Sequence, residues 1–207
     1  IVFVGHLLHY HNGFNELKNI IKLGKIGNLE IIKANRLNFG AIRQKESVLF
    51  DLASHDVSMI LSITEAMPKK VTVNAIFKNS EKIADYINVL LYFENELTAV
   101  INSDWISPYK EHRFSVLGSK GSLIFDDTKD WPNKLIINPS YLKKEKKIIY
   151  KPEKAIEVSN EEPLKKEIET FLLCIEKSYK PTTDINEAIN VQVVLDMIDK
   201  ELKQKYG

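Results

Sequence analysis

Three features of the sequence predict an α+β domain with an open, predominantly antiparallel sheet and helices packed on one face. Apolar residues recur at helical spacing near the start and again at the end, they alternate with polar residues through the middle, and turn-forming residues separate the alternating runs. With 207 residues, 44% of them hydrophobic and 28% charged, the chain has enough apolar material to bury a sizeable core as one domain over residues 1–207.

The elements follow in order. Ile1-Val2-Phe3-Val4-Gly5 is an apolar run flanked by glycine and predicts a buried strand. It opens with no lead-in loop, so the sequence reads as the later part of a longer architecture whose upstream half is missing. Phe14, Leu17, Ile20 and Ile21 fall at helical spacing, and Gly24 and Gly27 stop that helix. Residues 29–39 predict a strand. Leu49, Leu52, Ala53, Val57, Ile60 and Leu61 then repeat with a period near 3.6, which predicts a mostly buried helix over 48–63 that Pro68 ends.

The period changes to two in Val71–Phe77, in Ile87–Phe93 and in Leu97–Ile101, the pattern of half-buried strands. Glu94-Asn95-Glu96 supplies one tight turn, and Gly118-Ser119-Lys120-Gly121 joins two further strands. The Lys-rich stretch 143–154 predicts a solvated loop or an edge strand, where lysine discourages pairing with another sheet. Two amphipathic helices close the chain. One carries the stripe Leu164, Ile168, Phe171, Leu172 and Ile175, and the other Ile185, Ala188, Ile189, Leu195, Ile198 and Leu202; Asp184 suits the positive end of the second.

Charge and composition exclude several classes. The 29 Lys and Arg against 28 Asp and Glu leave a formal net charge of +1, which offers no electrostatic attraction for nucleic acid or an anionic membrane. No apolar run approaches the roughly 18 residues of a membrane-spanning helix. The single cysteine, Cys174, rules out an internal disulfide framework, fits a reducing, cytoplasmic compartment and is best read as packing.

Three groups of residues could carry chemistry. Asp51 and His55 stand four apart on a predicted helix, hence on one face, and a carboxylate beside an imidazole fixes its tautomer and raises its proton affinity. The same spacing also suits a buried polar pair or a helix ion pair. His6, His9 and His11 could form a metal site, but their spacing matches no metal motif and ordinary polar residues at a strand end explain them as well; no metal is expected. Trp105, Tyr109, Lys110 and Arg113 combine aromatic planes with cations, as an anionic ring-bearing ligand needs, and equally suit a loop with Trp105 over the core edge. No Gly-x-Gly-x-x-Gly follows a strand, so this chain is not expected to hold a dinucleotide by itself.

Several segments recur together in a known order. They are Gly5-His6 through Tyr10-His11, Leu23-Gly24-Lys25-Ile26-Gly27, Arg36, Asp51-x-x-x-His55-Asp56, Ser103-x-Trp105-x-x-Pro108-x-Lys110, Val116-x-Gly118-Ser119-x-Gly121 and Glu162-Pro163-Leu164. In that order the chain resembles the C-terminal, substrate domain of the glucose-fructose oxidoreductase and inositol dehydrogenase (Gfo/Idh/MocA) family. The resemblance implies an N-terminal dinucleotide-binding domain, missing here, that holds NAD or NADP and supplies a catalytic lysine. It implies a sugar or sugar nucleotide as substrate and a homo-oligomer formed through the sheet face.

It further implies that His55 is the acid/base that takes the proton of the substrate hydroxyl and that Asp51 shapes the pocket beside it. Tyr10, His11, Trp105, Lys110 and Arg113 become substrate contacts. Two features depart from the family: His9-Tyr10-His11-Asn12 stands where an Arg-aromatic pair and then proline are usual, and Glu46–Phe50 replaces a Gly-rich lead into the helix. The alternative is a domain that binds a sugar-like ligand or a partner without catalysis, or a remnant of the enzyme.

Overall fold

A computed structural model describes residues 1–143 and 147–207, so part of the Lys-rich stretch, residues 144–146, lies outside the described residues. Its centre is an eight-stranded sheet. In chain order the strands are β1 (Leu29–Phe39), β2 (Lys70–Ile76), β3 (Tyr86–Tyr92), β4 (Thr98–Asp104), β5 (Ile106–Gly118), β6 (Gly121–Asp126), β7 (Leu135–Asn138), β8 (Tyr141–Leu142), β9 (Ile148–Ile149) and β10 (Lys154–Ala155). The sheet runs β10-β7-β6-β5-β1-β4-β3-β2, and β8 and β9 form a separate pair. All neighbours in the sheet are antiparallel except β1 and β4, which run parallel.

The predicted period-two runs are the strands observed, and alternation decides which face each residue takes. Val71 and Val73, Ile87, Val89 and Leu91, Ala99 and Ile101, and Ile32 and Ala34 all point into the core. The turn at Glu94–Glu96 puts Asn95 at φ 57°, a left-handed position that asparagine tolerates. At the other edge, Lys154 is exposed on β10, in keeping with an edge strand guarded by lysine.

Among the described residues four α-helices accompany the sheet: α1 (Asn12–Lys22), α2 (Ser54–Thr64), α3 (Pro163–Lys177) and α4 (Ile185–Tyr206). Phe14, Leu17 and Ile20 of α1, Val57, Met59 and Ile60 of α2, and Val191, Val194, Leu195 and Ile198 of α4 join one core with the sheet's inner face. Asp184 caps α4, its Oδ1 accepting the N–H groups of Asn186 and Glu187 at 2.9 Å each. Among the described residues no helix is long and apolar enough to cross a membrane.

Two expectations fail. Residues 1–6 are not a strand: among the described residues no strand pairs with them, Ile1 and Val2 are exposed, and the Val4 N–H donates to the Thr183 carbonyl at 2.9 Å. Phe3 anchors this segment instead, with its ring 5.5 Å from that of Tyr10 and 5.2 Å from that of Phe171. The apolar stripe of α3 does not enter the core either. Leu164, Ile168, Leu172 and Ile175 are about half exposed, and the buried positions are Glu167 and Cys174. At about 100° per residue the stripe lies a quarter turn from that buried side.

The sheet's outer face is uncovered and carries a polar row. Asn88 donates to Asn102, Asn102 to Asn35 and Asn35 to Glu111, each at 2.9 Å, which links β3, β4, β1 and β5 side by side.

Candidate functional site

The site sits where the chain ahead of α1 meets α2 and the start of α4. A π-helical turn over Leu49–Ala53 leads directly into α2, which widens the helix entrance and presents His55 in the first α-helical turn. His55 is half-buried. Its pKa lies below the usual imidazole value, first because burial disfavours the charged ring and then because the Arg36 guanidinium repels it; Asp56 opposes this, His6 adds to it, and Asp51 opposes it weakly. A neutral imidazole at pH 7 is a base ready to accept a proton.

Asp51 lies on the His55 side of the helix, but its carboxylate accepts from Arg43 Nε at 3.2 Å. Among the described residues no hydrogen bond joins it to His55. The strongest ion pair of the region is elsewhere: Arg36 Nε and Nη2 each donate to an Asp56 oxygen at 3.0 Å, a two-pronged pair with both partners nearly enclosed.

Behind His55 lies a network that the sequence did not bring together. Ser58 donates its hydroxyl proton to Glu187 Oε1 at 2.5 Å, so the His9 ring, whose Nε2 is 2.7 Å from Ser58 Oγ, must be the donor there. His6 Nδ1 donates to Glu187 Oε2 at 2.8 Å. His9 Nδ1 is buried with no hydrogen-bond partner among the described residues, and burial, with Lys18 adding to it, depresses His9 to about 4.

On the other side, Arg36, Asp56, His112 and Asp127 line a water-sized void closed by Leu8 and Met59. His112 Nε2 is buried with no hydrogen-bond partner among the described residues, and burial followed by repulsion from Arg36 and Lys110 lowers His112 to about 4. Burial would raise Asp127, but hydrogen bonds from His11 and Lys134 hold it well below the carboxylate range.

These shifts carry a sign. A histidine at about 4 in the folded state takes up a proton on unfolding anywhere between that value and its ordinary value of 6.5. Stability from His9 and His112 is therefore complete above pH 6.5 and is lost as pH falls towards 4. The urea midpoint is expected to fall over that window with uptake of up to about two protons on unfolding, and His112→Gln should reduce the slope; a midpoint flat from pH 7 to 4 refutes the assignment.

The residues predicted to touch substrate divide into two sets. Tyr10 is buried with its hydroxyl 2.7 Å from Thr183 Oγ1. His11 is buried as the N-cap of α1, with Nδ1 accepting the Gly13 N–H at 3.0 Å and its ring stacked on Trp131. Trp105 is 1% exposed and donates its indole N–H to Asp85 Oδ1 at 2.6 Å. A ligand reaches none of these three without rearrangement. Lys110 and Arg113 stand exposed on β5, Arg113 paired with Asp126 at 3.1 Å. His6, Ser58 and Glu187 were missed as a group, since His6 and Glu187 are 181 residues apart in the sequence.

Among the described residues no group of three or more His, Cys, Asp or Glu is placed to hold a metal. Nor do the glycines make a phosphate cradle. Gly27, at φ +76°, packs against Ser119 and Lys120, and a Cβ on Gly118 would collide with the Ile26 carbonyl, so these two glycines serve the close approach of two turns. The residues present do not fit a bound dinucleotide.

No curated protein matches the chain. Solved structures match nearly all of it at low identity. An oxidoreductase from Magnetospirillum magnetotacticum is 22% identical over 95% of this chain and 62% of its own, with a TM-score of 0.80. A UDP-N-acetylglucosamine 3-dehydrogenase from Acidithiobacillus ferrooxidans is 19% identical over 97% of this chain and 62% of its own, TM-score 0.82. An aldose-aldose oxidoreductase from Caulobacter crescentus, complexed with glycerol, is 14% identical over 99% and 62%, TM-score 0.81. The chain thus has the fold of these proteins over about 62% of their length. A family model described as the GFO/IDH/MocA C-terminal domain matches residues 14–124, more than half of the chain and a span that includes β1, α2 and the central strands, and the chain belongs to that family.

Proposed function

We propose that this domain is the substrate half of an NAD(P)-dependent oxidoreductase acting on a hydroxyl or keto group of a sugar or sugar nucleotide. The observation that carries the reading is His55, half-buried and held neutral at the entrance of α2, inside the span matched by the family model. In the oxidising direction His55 accepts the hydroxyl proton of the substrate as the carbon gives up its hydride. Asp51 and its partner Arg43 shape the approach, and Lys110 supplies charge for an anionic substrate group; Arg113, opposite Asn35 and beside Glu111 on the outer face of the sheet, is left out of the site. Tyr10, His11 and Trp105 support the walls from within. The nicotinamide would serve as hydride acceptor. Among the described residues no glycine turn cradles it, and its placement is assigned to another domain of the enzyme.

The test is an assay of the gene product expressed from its full genomic reading frame, with NAD and NADP against a panel of sugars and sugar nucleotides. Cofactor reduction is expected with at least one substrate, and His55→Ala should lower kcat about 100-fold, the scale of a lost general base. Normal turnover by His55→Ala would sink the assignment.

The same reading takes the uncovered sheet face, with its Asn88-Asn102-Asn35 row, as the surface that pairs with a second copy. Light scattering is expected to give at least twice the chain mass. A single-chain mass at micromolar concentration overturns the pairing.

A further inference from the structure

We propose that Glu187 is a positioning residue of the His55 site, acting through His6. The Glu187 carboxylate takes the Nδ1 proton of His6 at 2.8 Å, which leaves His6 Nε2 as the nitrogen free to gain or lose a proton. The His6 ring stands edge-on to His55, centroids 6.2 Å apart and planes at 78°. Glu187 is itself fixed from two sides: the Ser58 hydroxyl donates to its other oxygen, and Asp184 caps the helix turn in which it lies. His9 holds Ser58 from below at 2.7 Å. The predicted carboxylate–imidazole pair, Asp51 with His55, is therefore accompanied by one that is hydrogen-bonded in this fold, Glu187 with His6.

The arrangement has a chemical consequence. A proton arriving at His55 places positive charge six ångströms from a ring tethered to a carboxylate, in a region where the other charged or titratable neighbours are Arg36, Asp51, Asp56, Glu167 and His9. His6 opposes that charge when protonated, and Glu187 fixes where its ring stands. The protonation of His55 is thereby tuned by a residue on α4 that never touches it, and the inference rests on the proposed function only in treating His55 as the group whose protonation matters.

Imidazole NMR titration of this chain tests the coupling without substrate or cofactor, so failure of the enzyme reading leaves the result intact. His6→Asn should raise the His55 midpoint by about half a pH unit, the size of a unit charge about 6 Å away even at the screening of bulk water. Glu187→Gln, by freeing the His6 ring, should shift it in the same direction by a few tenths of a unit, and Glu187→Asp should restore part of the difference. In the His6→Asn background the Glu187→Gln shift should vanish, because the effect travels through the ring. His112, on the far side of Arg36, should keep its midpoint in every variant. An unmoved His55 midpoint in Glu187→Gln, or the same shift with and without His6, overturns the proposal. Should Glu187→Gln fail to fold, long-range 15N spectra of the unmodified chain still decide it: the proposal requires the His6 proton on Nδ1, and the Nε2–H tautomer refutes it.

Discussion

Arg36→Ala is expected to destabilise the domain by about 3–5 kcal/mol, read as a fall in the urea midpoint at constant slope. Its side chain is 11% exposed and that of Asp56 4%, so removing the guanidinium leaves a carboxylate enclosed with no cation on its two accepting positions. The penalty is that of an uncompensated buried charge and says little about the net value of the pair. Replacing both partners with apolar residues of similar volume, as in Arg36→Met with Asp56→Leu, should therefore recover most of the loss. A second readout follows from the same substitution. Arg36 is the largest charged influence lowering His55 and also His112, so both should titrate at higher pH in a folded Arg36→Ala variant. A cost below about 1 kcal/mol would place the pair among solvated surface bridges and remove this account of the His55 environment.

Trp105→Ala should cost about 3–5 kcal/mol as well, through the cavity left by a fully enclosed indole. The family resemblance placed this residue at a ligand, and the structure places it at the corner where the chain passes from β4 to β5. There its indole N–H reaches Asp85, which also accepts the backbone N–H groups of Lys78 and Asn79. Trp105→Phe separates the two views. It keeps most of the ring volume and loses one hydrogen bond to a charged acceptor, so stability should drop by about 1.5–3 kcal/mol while KM of the full-length enzyme stays within a factor of two or so. A large KM change with stability intact would return Trp105 to the substrate.

Much of the fold was legible because its cause is local. A residue such as Val89 or Ile101 declares its face by the polarity of the residues on either side, and Asp184 declares a helix start by its own side chain. What was not legible depends on partners distant in sequence. Ile1–Gly5 has the composition of a strand but finds no neighbouring strand to pair with. The stripe on α3 has the right period, yet period alone does not say whether another element lies over it. The same holds at the site. Asp51 and His55 could be placed together by a spacing of four, whereas Arg43, which takes the Asp51 carboxylate, and Glu187, which takes His6, are set by tertiary packing. The family resemblance supplied the order of motifs but could not show that Tyr10, His11 and Trp105 direct their polar atoms inward.

The position of β1 has a consequence for how the molecule assembles. Ile32 pairs with Ala99 of β4 on one side and with Val116 of β5 on the other, so β1 is the seam between two halves that follow it in the chain. β2, β3 and β4 can close as a meander of neighbours in sequence, and so can β5, β6 and β7, but each half keeps an open edge until β1 is seated between them. Loop closure over such separations is slow, and it must precede the contacts that reward it. The folding rate of this domain is thereby tied to one insertion step, and two bare strand edges are the form in which it is exposed to self-association while that step is pending.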